Sequence, residues 1–232
     1  MKKTFAYIAT FFVLYSVFVI ALMPASWLMA QIKLPANVSI TPVEGTIWHA
    51  SVKQVMVDGV VINQVKSHLS LVSVLMLDPK LDVTFGDPII NGPEGQLTIS
   101  GLRSDITIND ARVSLAANTV AARLNLPIDI IAHEQLTLNV SHFVMGAPIC
   151  GELQGDVAWR SAAVSAFDEK VKLGSLSAAL SCEKGELIAE IAPNNDLGLS
   201  YRAQLKQGGR FAGNGYLTPG EKFPEQLREV LS

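Results

Sequence analysis

The stretch LGLSYRAQLK, residues 197–206, decides the fold class because apolar side chains alternate with polar or small ones along most of its length. Successive side chains of a β-strand point to opposite faces, so this pattern is typical of a strand with one dry and one wet face. Residues 136–141, LTLNVS, repeat it. Turn-forming pairs such as Asp78-Pro79 and Asn91-Gly92 separate such segments. The sequence therefore predicts a mainly β fold, a curved antiparallel sheet or meander, over residues 31–232.

The sequence also predicts short helices and contains a weak internal repeat. Short helices are predicted near Ala116–Arg123 and at the C-terminus over Pro224–Leu231, where a proline opens the first turn. Residues 60–70 and 171–181 resemble each other weakly, and a glycine and a tryptophan precede each of them. Two interpretations stay open, since any two alternating strands look alike and two stacked β-units would also produce the likeness. The units would then be about 37–125 and 126–232.

The N-terminal segment follows a different pattern, with no charge from Thr4 to Met23. These 20 residues would span about 30 Å as a helix, the thickness of a bilayer's hydrocarbon core. Lys2 and Lys3 precede the run and the next basic residue is Lys33, which predicts a cytoplasmic N-terminus and export of the rest to the periplasm. A cleaved signal peptide is the alternative, but the run is long and the candidate cleavage sites are poor. We expect residues 1–30 to hold a retained single-pass anchor of the bacterial inner membrane.

Composition and motifs narrow the class of function. A net charge of -3 with 17% charged residues provides no basic stripe for nucleic acid. The four histidines lack metal-ligand spacing. We also find no G-x-S-x-G elbow, Walker loop or dinucleotide fingerprint. The sequence therefore predicts no catalytic, cofactor-binding or metal-binding residues, no cofactor and no enzymatic activity.

The cysteines lie in the part of the chain predicted to be exported, where disulfides persist. Cys150 and Cys182 are the only two cysteines. A disulfide is favoured over two buried thiols because exported chains with an even cysteine count usually pair them.

Several short motifs follow one another along the chain in a characteristic order. Residues 43–50, VEGTIWHA, place Gly45, Thr46 and Trp48 soon after the apolar run, and a leucine-rich segment that we expect to be a strand follows near Leu69–Leu77. Later motif positions are Gly151, Trp159, Gly213, Gly215 and Pro219. With one anchor and one cysteine pair, this order resembles the type II secretion system protein N family over nearly the whole chain.

The resemblance implies an accessory inner-membrane component of the apparatus that exports folded proteins across the outer membrane of Gram-negative bacteria. It implies protein–protein interaction with other components of that system. The alternative function is a membrane-tethered β-groove that binds or transfers lipid, since a packed core and an open groove give the same alternation. An open groove lined by apolar side chains would favour lipid; the candidates are Leu136, Leu138, Val140, Leu197 and Leu199.

Overall fold

A computed structural model of the chain describes residues 2–87, 89–101, 106–123, 129–166 and 169–224. The α-helices are α1 (Lys2–Ala21), α2 (Ala25–Met29), α3 (Leu71–Leu75) and α4 (Ala117–Ala121). The strands of the first half are β1 (Val38–Ile40), β2 (Val43–Thr46), β3 (His49–Val57), β4 (Val60–Leu69), β5 (Lys80–Asp87), β6 (Ile90–Ser100) and β7 (Thr107–Ala116). Those of the second half are β8 (Ile131–His133), β9 (Gln135–Met145), β10 (Cys150–Ala166), β11 (Glu169–Glu183), β12 (Glu186–Ile191), β13 (Leu199–Lys206) and β14 (Arg210–Leu217), with a 3-10 turn at Gln207–Gly209.

Within these described residues, 14 strands form one open antiparallel sheet in the order β1-β3-β4-β5-β6-β7-β9-β10-β11-β12-β13-β14. Two short strands lie off this path, with β2 paired to β3 and β8 paired to β10. The mainly β antiparallel meander predicted from the alternation is confirmed. The sheet continues across the predicted division near residue 125, because β7 pairs directly with β9.

The helices agree with the sequence in part. The helix predicted near Ala116–Arg123 is confirmed as α4. The C-terminal helix predicted for Pro224–Leu231 falls, after Pro224, outside the described residues.

The 20-residue helix α1 carries exposed apolar side chains from Tyr7 to Ile20. In the described part of the chain, no helix meets both the length and the hydropathy that a membrane crossing requires.

The core of the sheet is thin. The chain exposes 16106 Å², whereas a compact monomer of 24.9 kDa would expose roughly 10,000 Å². Small side chains dominate what is buried, and the cluster at α4 consists of Ala117, Ala121 and Ala132 with Ile130, Leu136 and Trp159 packed against it. Both faces of the sheet therefore stay partly uncovered.

The two longest strands, β10 with 17 residues and β11 with 15, pair with each other at the centre of the second half. A disulfide joins Cys150 at the start of β10 to Cys182 near the end of β11, with the Sγ atoms 2.09 Å apart. The predicted bridge is confirmed, because the antiparallel register brings these two strand ends together.

Candidate functional site

The motif residues that carry the family resemblance do not surround one pocket but lie in three separate places along the sheet. Gly45, Thr46 and Trp48 lie where α1 and α2 meet the β2–β3 hairpin. The central strand β10 carries Gly151 and Trp159. The third group is Gly213 and Gly215 on β14, with Pro219 just after it.

The first group fastens α1 to the sheet, and we call Ile20, Met23, Thr46, Ile47 and Trp48 the helix joint. The indole Nε1–H of Trp48 donates to the carbonyl of Ile20 at 3.1 Å. The N–H of Ile47 donates to the carbonyl of Met23 at 3.0 Å. Thr46 also bridges to Pro24. Three consecutive motif residues thus hold the end of the apolar helix against a hairpin.

Glycine is required at position 45 of this hairpin. Gly45 has a φ of 91° and pairs with Ala50. A Cβ here would overlap the carbonyl oxygen of His49. Because this left-handed conformation costs other residues free energy, glycine alone fits without strain.

An apolar pocket of about 660 Å³ opens beside the helix joint. Its walls come from α1, the hairpin and α3: Val17, Ile20, Ala21, Thr46, Trp48, His49, His68, Leu69, Leu71 and Leu75. At its polar rim, His49 and His68 face each other across β3 and β4 with ring centroids 4.6 Å apart. The carboxylate of Asp82 lies 3.9 Å from Nδ1 of His68. The pocket is therefore lined mainly by apolar side chains and has polar groups along one edge.

The pocket wall includes a helix where a strand was predicted. The strand expected near Leu69–Leu77 is wrong, because β4 ends at Leu69 and α3 follows. Ser70 caps α3 by accepting the N–H of Ser73 at 3.4 Å. Serine before an apolar run is a signal for a helix start that could have revealed α3.

Of the second group, only Trp159 packs against the core cluster, whereas Gly151 is exposed. Trp159 donates its indole N–H to the carbonyl of His133 at 2.8 Å and packs against the alanines of the α4 cluster. Gly151 lies one residue beyond the disulfide-bonded Cys150. Trp159 and the disulfide at Cys150 thus fix the two parts of β10 to neighbouring elements.

The third group shapes the last described strand. A Cβ on Gly215 would lie 2.6 Å from Cδ2 of Tyr201, and a Cβ on Gly213 would lie 2.8 Å from Cζ of the same ring. Tyr201 on β13 can therefore lie over β14 only because both positions are glycine. Every residue of β14 is exposed, and among the described strands β14 pairs only with β13.

Sequence reasoning missed an ion-pair cluster on the strands beside this edge. Arg202 on β13 donates to Glu183 at 2.6 Å and to Glu190 at 3.0 Å. The hydrogen bond to Glu183, followed by the attraction of that carboxylate, raises the pKa of the Arg202 guanidinium above its ordinary value. Arg202 thus stays charged and links three neighbouring strands. Such pairing depends on strand register, which single residues do not reveal.

Two histidines have side-chain partners on neighbouring strands. Nε2 of His133 lies 2.7 Å from Oγ of Ser165, and Nδ1 of His142 lies 2.9 Å from Oδ1 of Asn109. Over the residues that the structure describes, no three His, Cys, Asp or Glu side chains are placed to hold a metal ion.

Together these features define a class of protein, in which an apolar N-terminal helix is fastened through a tryptophan hairpin to an open β-meander with one disulfide. The family model for type II secretion system (T2SS), protein N, matches residues 36–232. The chain belongs to this family. The matched region begins after α2 and includes all strands described above.

Curated relatives cover the N-terminal helix as well. The type II secretion system protein N of Vibrio cholerae is 24% identical over 239 residues, with 100% of this chain and 92% of the relative covered. The protein of the same name from Aeromonas hydrophila is 27% identical over 235 residues with the same coverage. That of Pectobacterium carotovorum is 23% identical over 219 residues, with 94% and 86% covered. None of the solved structures matches the chain significantly.

Proposed function

We propose that the chain is an accessory inner-membrane component of the type II secretion system. In this role it assists export of folded proteins by binding other components of the system and has no enzymatic activity. Membership of the protein N family supports the assignment to the secretion system. The observation that carries the mode of action is the exposed edge strand β14.

This edge is suited to main-chain pairing with a partner. Natural edge strands are usually protected by lysines, prolines or bulges. The sequence of β14, RFAGNGYL, has a charge only at Arg210, and its register with β13 is uninterrupted. Phe211 and Tyr216 are 65% and 63% exposed. A strand of a partner could add to this edge and cover both aromatic rings.

The experiment is a gene deletion complemented by variants of the full chain. Deletion should reduce the exoprotein in the medium and raise it in the periplasm, and wild type should restore export. Phe211→Lys with Tyr216→Lys should fail to restore export, because lysines on an edge oppose strand addition. Ile131→Lys, at a residue also 57% exposed, is the matched control and should restore it. Unchanged export after deletion, or full rescue by the double lysine variant at equal protein level, would contradict the proposal.

The proposal includes a membrane position: the uncharged run Thr4–Met23, of which α1 forms the larger part, holds the chain at the inner membrane as a single span, with the N-terminus cytoplasmic and the sheet periplasmic. The uncharged run Thr4–Met23 supports this, since it extends two residues beyond α1 and follows Lys2 and Lys3. The apolar side chains of α1 are exposed rather than covered by the sheet. We expect the chain to stay in the membrane pellet after carbonate extraction, and release into the supernatant would refute the span.

Lipid binding is the second candidate function. One specific observation favours it, because the apolar side chains of one sheet face are only half-buried. These are Leu136, Leu138, Val140 and Leu199, whereas Leu197 is buried at 6%. Native mass spectrometry of the detergent-extracted protein should then detect bound phospholipid, and its complete absence would rule out a carrier.

A further inference from the structure

We propose that α3 and the residues up to Leu77 form a second membrane contact, which dips into the surface of the bilayer beside α1. We call residues 71–77 the α3 tip. The inference rests on the proposed membrane position of α1 and adds a second point of attachment. Two points of attachment would hold the sheet in one orientation relative to the membrane, which a single helix would not do.

The first argument is that the polarity of the α3 tip is inverted. Its serine faces the protein, with Ser73 only 8% exposed. Its apolar residues face outward and include Leu75 at 76% and Leu77 at 82%. Leu71, Val72 and Met76 are also exposed. A segment surrounded by water normally shows the opposite arrangement, and contiguous exposed apolar residues mark an interaction site.

The second argument is that many polar groups in and next to the α3 tip have hydrogen-bond partners within the chain. The hydroxyl of Ser73 donates to the carbonyl of Ser70 at 2.7 Å, and its Oγ accepts the N–H of Lys80 at 2.9 Å. The backbone N–H groups of Val74, Met76, Leu77 and Asp78 donate within the segment at 3.0 to 3.1 Å. Backbone groups that enter an apolar phase require such partners, because no water is present to replace them.

The third argument concerns depth. Leu71 and Leu75 share the pocket at the helix joint with Val17 and Ile20 of α1. These α1 residues lie within about one turn, roughly 6 Å, of the end of the helix at Ala21. Interfacial segments bury their apolar side about 5–10 Å into the boundary between headgroups and acyl chains. The α3 tip therefore lies at the depth of the membrane surface if α1 is embedded.

The charges around the α3 tip agree with this placement. Residues 69–77, LSLVSVLML, contain no charge. Asp78 and Lys80 follow directly and face each other at 3.7 Å with both side chains more than half exposed. An uncharged tip above a charged base fits a lipid surface better than a protein surface. Specific protein interfaces usually surround an apolar centre with polar residues in the same plane.

The test places an environment-sensitive fluorophore on the α3 tip of the full chain. Both native cysteines form the disulfide, so the added thiol of Leu75→Cys can be labelled selectively with an NBD maleimide. The labelled chain is reconstituted in nanodiscs of phosphatidylethanolamine and phosphatidylglycerol. Lipids with a doxyl group close to the headgroup should quench the emission about twofold, while iodide in solution should quench it little.

Two controls separate the outcomes. Phe211→Cys on β14, also at an exposed apolar residue, should be quenched by iodide and not by doxyl lipid. Leu77→Cys repeats the measurement in case a label at position 75 disturbs α3. Lipid quenching absent at both 75 and 77, or present only after other secretion components are added, would overturn the inference in favour of solvent or a protein partner. Carbonate extraction of cell membranes that contain the same variant tells whether α1 itself is embedded, so a failed anchor and a failed tip give different results.

Discussion

Trp48 and Trp159 make the same kind of hydrogen bond in two different surroundings. Each donates its indole N–H to a backbone carbonyl, at 3.1 Å to Ile20 and at 2.8 Å to His133. Around Trp159, the alanines of α4 and β8 form a small closed core. Around Trp48, the helix joint borders an open apolar pocket.

The comparison teaches that two similar motif residues serve different purposes. Trp159 stabilises the sheet, whereas Trp48 fixes the direction in which α1 leaves it. Strand β10, which carries Trp159, is also joined to β11 by the disulfide at its start, while hydrogen bonds and a single bridge hold the helix joint. The two regions should therefore respond differently to the same change.

The largest effect should come from removing the disulfide between β10 and β11. Replacing Cys150 and Cys182 with alanine should lower the free energy of unfolding by about 4 kcal/mol, on the chain-entropy model for a loop of this size. The bridged residues are separated by 32 positions. Urea unfolding in detergent, followed by tryptophan fluorescence, measures the loss, and reduced wild type is the control.

The helix joint should be insensitive to this change. Hydrogen exchange at the amide of Ile47, which donates to Met23, should stay as in wild type under native conditions. Faster exchange at Ile47 would mean that the two regions are not independent, and a loss below about 1 kcal/mol would mean that the disulfide does not stabilise the sheet as predicted.

A smaller effect should distinguish the two tryptophans directly. Trp159→Ala should lower the free energy of unfolding by about 3 kcal/mol, because it empties the space beside the α4 cluster and leaves the carbonyl of His133 without its partner. Trp48→Ala should lower it by only about 1 kcal/mol, since its ring borders a pocket. The same urea titration measures both variants, and equal losses would contradict the comparison.

The smallest effect should be local to the helix joint. Trp48→Phe retains an aromatic ring and removes the donor to Ile20. A lost hydrogen bond of about 1 kcal/mol corresponds to an increase of about fivefold in the hydrogen-exchange rate of the Ile47 amide. Trp159→Phe is the matched control and should leave that rate unchanged. If both variants accelerate exchange equally, Trp48 does not hold the joint in particular.

The strands and the disulfide were predictable because they depend on local pattern and on cysteine count. Residues 197–206 alternate, and β13 covers Leu199–Lys206. The segment that forms α3 was wrongly predicted because its apolar residues are continuous, so neither period stands out. There the side-chain hydrogen bonds of Ser70 and Ser73 favour a helix.

The candidate site was predictable only as a set of residues. Gly45, Thr46 and Trp48 stand out in the sequence, but their contact with the end of α1 depends on where the β2–β3 hairpin lies. The edge position of β14 depends on the pairing order of the whole sheet. The alternation of apolar and polar residues is the same for a covered and an uncovered face. The sequence therefore could not predict that Leu136 and Leu138 are only half-buried.

The pairing order of the sheet has a consequence for how the chain folds. Most neighbours on the main path, from β3 to β7 and from β9 to β14, are also neighbours in sequence. Contacts between strands close in sequence require only short loops to close and favour fast folding for an all-β chain. Each strand can therefore pair with one that is already formed, so the sheet can grow in the order of synthesis. A newly added strand is then always an edge, until the next one covers it, and β14 is the last in the described part of the chain.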